Sequence, residues 1–116
     1  MVVLVVEDEA LIALHLEFIL KRHGWRVLGP AASVDQALRL LDGGEAPDVA
    51  LLDVDLRGEP VTPVAEALRA RGVPFVLASA YDRADQMAVP LAAVPNVGKP
   101  CDEGRLLAAL TRAATG

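Results

Sequence analysis

The apolar positions of this chain fall into two kinds of run that alternate. Short, continuous runs rich in Val, Leu and Ala occupy Val2–Val6, Arg26–Leu28, Val49–Leu52 and Pro74–Ala78, with a weaker one at Asn96–Gly98. Between them the apolar residues recur with helical spacing. Strands that are apolar on both sides, alternating with helices, predict βαβ units and a parallel sheet covered on both faces.

End signals agree with this reading. Residues 10–23 are followed by Gly24, a good helix stop. Ser33 precedes "VDQALRLL" with Gln36 three residues on, which predicts a capping box. Thr62-Pro63 predicts an N-cap and a first-turn proline for "VAEALRA", which Gly72 then ends. Asp102 is placed to cap the last helix, "EGRLLAALTRAA". The remaining helical segment, Ala84–Ala93, is broken by Pro90 and followed by Pro95, so we expect it to be short, irregular or mobile. The "GGEAP" stretch at 43–47 reads as a loop.

The first helix carries two apolar stripes. Ile12, Leu16, Ile19 and Leu20 form the one expected to face the sheet. Leu11, Leu14 and Phe18 form a second, at i, i+3 and i+7. We expect this second stripe to pack against a neighbouring helix of the same layer; the competing reading is a docking face for a partner helix.

Composition narrows the class. At 116 residues the chain is one compact domain, and with 53% hydrophobic but only 3% aromatic residues its core must be aliphatic. A net charge of −5 argues against direct nucleic-acid binding, which needs a basic surface. Cys101 is the only cysteine, so no disulfide within the chain is possible and a reducing, cytoplasmic setting is expected. Its thiol reads as a small apolar group beside a strand end. No stretch is long and apolar enough for a membrane span. "MVVLVV" has no basic flank and runs straight into Glu7, Asp8 and Glu9, so it is a strand and not a signal peptide. His15 and His23 are too isolated to suggest metal ligands, and Trp25 is expected to be partly buried at the start of the second strand.

The chemistry collects where the strands end. A flavodoxin-like (βα)5 doubly wound sheet in the order 2-1-3-4-5 binds ligands beyond the carboxyl ends of its strands, between the first and third. The first strand is followed by Glu7 and Asp8, the third by Asp53 and Asp55, the fourth by Ser79 and the fifth by Lys99. Two like charges about 4 Å apart repel by roughly 4 kcal/mol at an effective dielectric near 20, so clustered carboxylates call for a proton or a cation. Oxygen ligands and a phosphate suit Mg2+. One carboxylate then acts as nucleophile and becomes an acyl phosphate, Lys99 pairs with a phosphoryl oxygen and Ser79 donates to another. Asp53 is the best nucleophile because it ends the central strand. Singly, each acid reads as a turn residue or helix cap. The set of strand-end groups in this order is much harder to reach by accident.

Taken together, "VVEDE" at 5–9, "LLDVDL" at 51–56, "LASAY" at 77–81 and "GKP" at 98–100 resemble the receiver domain of two-component response regulators, over essentially residues 1–116. The resemblance implies that Asp53 accepts a phosphoryl group from a phosphohistidine of a histidine kinase or histidine phosphotransfer protein. It implies Mg2+ held by Glu7, Asp8, Asp53 and the backbone carbonyl of Asp55, with Ser79 and Lys99 on the phosphoryl group. The Lys99-Pro100 bond is typically cis in such domains. One position departs: the switch aromatic usual three residues before the lysine is Asn96 here, and an aromatic stands instead at Tyr81. "PFVLASAYD" thereby resembles a subgroup with a Phe-Ala-Thr-Gly-aromatic pattern, often single-domain. Asn96 departs from the usual serine-to-aromatic switch, and a switch through ordering of the fourth helical segment is the alternative. Asp55 and Tyr81 flank the phosphoryl site, where the family tunes hydrolysis.

Two other functions compete. Haloacid-dehalogenase-type phosphatases also end a strand in Asp-x-Asp, but on the first strand, whereas here the acid pair Glu7–Asp8 comes first. A scaffold that is never phosphorylated is the third reading, and the intact acids, Ser79 and Lys99 argue against it. We expect a stand-alone signalling receiver, not a turnover enzyme, with an unidentified downstream protein partner and a homodimer left open.

Overall fold

The computed structural model describes residues 1–53, 55–56, 58–78 and 103–115, with only the backbone of Asp55. Its elements are β1 (Val2–Val6), α1 (Ala10–Arg22), β2 (Arg26–Ala31), α2 (Val34–Asp42), β3 (Val49–Leu52), β4 (Asp55–Leu56), β5 (Glu59–Pro60), α3 (Thr62–Ala70), β6 (Phe75–Leu77) and α4 (Glu103–Thr115). The main sheet runs β2-β1-β3-β6, parallel throughout. This is the expected order 2-1-3-4 as far as the described residues reach. The predicted strand at Asn96–Gly98, the helix at Ala84–Ala93, the cap at Asp102 and the cis bond at Lys99-Pro100 lie outside them.

Alternation along each strand builds two cores. Leu4, Val6, Ala50, Leu52, Phe75 and Leu77 point to one face and pack with Ala37 and Leu41 of α2 and Val64, Ala65 and Leu68 of α3. Val3, Val5, Val49, Leu51, Val76 and Ala78 point to the other and pack with Leu16, Ile19 and Leu20 of α1 and Leu106 and Leu110 of α4. Because both faces are covered, the strands have no polar side, which is why their sequence runs are continuous.

Local chemistry accounts for most of the ends. Gly24, at φ +92°, ends α1 in a backbone region that a side chain disfavours. β2 continues three residues past its predicted end at Leu28, through an irregularity between Leu4 and Val6 of the pairing. Gly29 makes this passable: at φ +98° its absent Cβ would lie 2.8 Å from the Ala31 nitrogen and 3.0 Å from the Val5 carbonyl oxygen. Ser33 caps α2 as predicted, its hydroxyl accepting from the Gln36 amide at 3.2 Å. Gln36 reaches back one residue further than a standard capping box and accepts from Ala32 at 2.8 Å. Ser33→Ala is therefore expected to cost about 1 kcal/mol, read as a lower urea midpoint at unchanged m-value.

Two expectations are corrected. Thr62 is the first residue of α3 and not its N-cap: Val61 holds that position with no side-chain cap bond. Val61 is fully buried, and its carbonyl accepts from Val64 and Ala65 at 2.9 and 3.1 Å, so burial draws the helix start one residue earlier. Among the described residues, the second stripe of α1 packs on no neighbouring helix. Leu11 is 83% exposed, and Leu14 and Phe18 are each 60% exposed.

Candidate functional site

Strand register assembles the acids. Val6 of β1 pairs with Leu52 of β3, so the residues that follow, Glu7 and Asp53, leave the sheet side by side. The Asp53 amide donates to the Val6 carbonyl at 2.8 Å, and the Glu7 amide to the Ala31 carbonyl at 2.9 Å. These bonds prolong the ladder past the strands and hold both acids as part of the sheet. Asp8 follows Glu7 in the turn into α1. One carboxylate oxygen from each of Glu7, Asp8 and Asp53 lies within 4.8 Å of the other two.

Glu7 is 2% and Asp53 4% exposed, the only buried charged or polar residues among those described, while Asp8 is half-buried. Burial weakens the screening that water gives like charges. A hard divalent ion fits this donor set, which is oxygen only. Mg2+ binds oxygens at about 2.0–2.1 Å, so neighbouring ligands around it sit roughly 3–4 Å apart. The span of the cluster is close to that.

The rim is partly described. Glu9 is exposed and its amide donates to Glu7 Oε2 at 3.3 Å. Past Asp53 the chain forms a short ribbon: Asp55 pairs with Pro60 and Leu56 with Glu59, antiparallel. Leu56 is buried among the α2 and α3 side chains, which fixes the ribbon to the body. Glu59 then accepts from the Val34 amide at 3.4 Å, the first amide of α2. Sequence reading missed this second cap, and only the "DLRGEP" turn composition hinted at a reversal there. On the other side of β3, the Ala78 amide donates to the Leu52 carbonyl at 2.8 Å, so the fourth sheet strand ends level with Asp53. Ser79, Tyr81, Asn96, Lys99 and Cys101, and the side chain of Asp55, lie outside the described residues. Trp25 is half-buried beside His23, at the amino end of β2 and so remote from the acids.

An open parallel α/β sheet with acids gathered past the ends of its two central strands defines a doubly wound domain with a candidate cation and phosphate site at the usual place. Residues 3–111 match the family model described as response regulator receiver domain. This chain belongs to that family, whose members are signalling modules of two-component systems and generally bind Mg2+. Its sequence is 34% identical over 108 residues to the sensory transduction protein LytT of Bacillus subtilis, covering 90% of this chain and 44% of that one. The chain thus spans less than half the length of that relative. The solution structure of SdrG from Sphingomonas melonis matches with a TM-score of 0.83 at 38% identity, covering 98% of this chain and 95% of the other. The response regulator PhyR from Brucella abortus matches with a TM-score of 0.82 at 25% identity, over 98% of this chain and 47% of that one. Among the described residues no helix is long and apolar enough to cross a membrane.

Proposed function

We propose that this chain is a single receiver domain over residues 1–116, acting in the cytoplasm, in which Asp53 takes a phosphoryl group from a phosphohistidine of a histidine kinase or histidine phosphotransfer protein. The observation that carries this reading is Asp53 itself: a carboxylate 4% exposed, at the end of a central strand, with two further carboxylates within 4.8 Å. Glu7, Asp8 and Asp53 hold Mg2+ together with the Asp55 carbonyl. The ion, when bound, offsets charge on the phosphoryl oxygens.

In transfer, an Asp53 carboxylate oxygen attacks phosphorus, an O–P bond forms and the P–N bond to the donor imidazole breaks, its electron pair leaving with the ring nitrogen. The bond from the Asp53 amide to the Val6 carbonyl fixes the main chain that carries the attacking group at the sheet end. Lys99 pairs with one phosphoryl oxygen and Ser79 donates a hydrogen bond to another. Tyr81 and Asn96 stand at rim and switch positions, and the phosphorylated form changes which protein partner it binds.

Incubation with Mg2+ and a small phosphodonor tests this. Mass spectrometry is expected to show one phosphoryl group per chain, lost when EDTA is present. Sustained turnover of phosphomonoesters would instead indicate a phosphatase, and no incorporation from small donors or candidate kinases would leave only a scaffold.

A further inference from the structure

Glu59 stands outside the acid cluster, yet it bonds the ribbon past Asp53 to the start of α2. The ribbon has two residue pairs, Asp55 with Pro60 and Leu56 with Glu59. A ribbon that short has little stability of its own, so its position depends on what holds it. Burial does part of this: Leu56 is 3% exposed, and Val61, directly after Pro60, is fully buried. Apolar burial is non-directional, so it presses the ribbon to the body without fixing its tilt. A hydrogen bond has a direction. The Glu59 carboxylate accepts one from the Val34 amide at 3.4 Å, across 25 residues of chain.

Val34 is the first residue of α2, so its amide has no partner within the helix. The capping box serves the neighbouring amides, with Ser33 accepting from Gln36 and Gln36 from Ala32. That of Val34 is served from another segment, by Glu59. Val34 is 8% exposed, so water would replace a lost bond poorly. A carboxylate also suits the positive end of the helix dipole. α2 itself is fixed on the sheet by Ala37 and Leu41, which lie in the core. The bond therefore ties the ribbon to a rigid support.

Glu59 stands one pair away from Asp55, and Asp55 faces Pro60. Proline has no N–H, so the residue opposite Asp55 cannot draw its carbonyl into the ladder. We propose that Glu59 is a positioning residue for the cation: by tying the ribbon to α2 it sets the Asp55 carbonyl where Mg2+ needs it. This role rests on the proposed reading of that carbonyl as a ligand. Mg2+ demands near-ideal octahedral geometry, so a small tilt of one ligand weakens its binding.

Amide NMR of the chain titrated with MgCl2 reads the Mg2+ affinity, and urea unfolding in EDTA reads stability separately. Glu59→Ala should raise the half-saturating Mg2+ concentration about fivefold, the worth of one hydrogen bond. Its Val34 amide should also exchange faster with solvent. Glu59→Gln should stay within about twofold of the wild type, since its amide oxygen still accepts from Val34. Ser33→Ala removes a bond of α2 that the ribbon does not share, so it should lose stability and keep its Mg2+ affinity. A Glu59→Ala chain that binds Mg2+ as the wild type does overturns the positioning role. A Glu59→Gln chain as weak as Glu59→Ala overturns it too, by showing an effect of charge at a distance. So does a Ser33→Ala chain equally weak, by showing that loosening α2 is enough. A wild type that binds no Mg2+ overturns the cation reading itself, and this role with it.

Discussion

Asp53→Asn is expected to take up no phosphoryl group and yet to be more stable than the wild type in Mg2+-free buffer. Amide nitrogen and oxygen are poor nucleophiles beside a carboxylate, so the acceptor is lost outright. The stability gain comes from charge. Asp53 and Glu7 are both buried, and each has a carboxylate oxygen within 4.8 Å of the other's and of Asp8. At that separation two like charges repel by about 3 kcal/mol at an effective dielectric near 20, less where Asp8 meets water. Asparagine keeps the shape and removes Asp53 from two of these pairs. A net gain of about 1–3 kcal/mol in urea unfolding with EDTA is expected, since removing a repulsion also removes whatever favourable contacts the carboxylate makes. Adding Mg2+ should raise the wild-type transition and move the variant much less, because a ligand stabilises in proportion to its affinity for the folded state. Phosphoryl incorporation by the variant would sink the assignment of Asp53. A variant less stable than the wild type without Mg2+ would show that the cluster is not under repulsive load.

One residue earlier the expected result is the reverse. Leu52 is fully buried in the core shared with α2 and α3. Leu52→Ala should cost about 2–5 kcal/mol, from lost transfer energy plus the cavity left in a packed layer. Against a total stability of roughly 5–15 kcal/mol this is a large fraction, so the thermal transition falls well below that of the wild type. Phosphorylation should survive at temperatures where the variant is folded. The main chain at Asp53 is held by its amide's bond to the Val6 carbonyl, which involves no side-chain atom of Leu52. Urea denaturation and the phosphodonor assay run in the cold check both halves. A loss under about 1 kcal/mol would contradict the packing described for Leu52, since buried Leu→Ala changes cost more. A folded variant unable to accept phosphate would make Leu52 a positioning residue.

These neighbours show how unevenly the sequence could be read. Strand positions were legible because a strand covered on both faces has a continuous apolar run, and no other element of this chain gives one so short. The candidate acids were legible because a carboxylate directly after such a run has nowhere to go but the sheet edge. Cap residues were legible at Ser33, where side chain and amide are three residues apart, and misread at Thr62, where burial of Val61 chose the helix start. Hydrogen-bonding rules act over a few residues; burial depends on the whole layer. The ribbon at Asp55–Pro60 was missed for the same reason: two-residue strands carry no periodic signal, and Leu56 is held by helices distant in sequence.

The stripe on α1 is the clearest case. Amphipathic spacing identified Leu11, Leu14 and Phe18 as one apolar line, but whether that line is covered depends on where neighbouring helices come to rest. By itself the sequence determined the alternation of strand and helix, the parallel sheet and the identity of the acids that end its strands, because these follow from side-chain period and chain order. Only the tertiary structure decided that Val6 and Leu52 stand in register, so that three carboxylates from separate segments meet within 4.8 Å. It alone also decided that the second face of α1 is left to solvent. Register and coverage are relations between segments far apart in the chain, and they are set by packing.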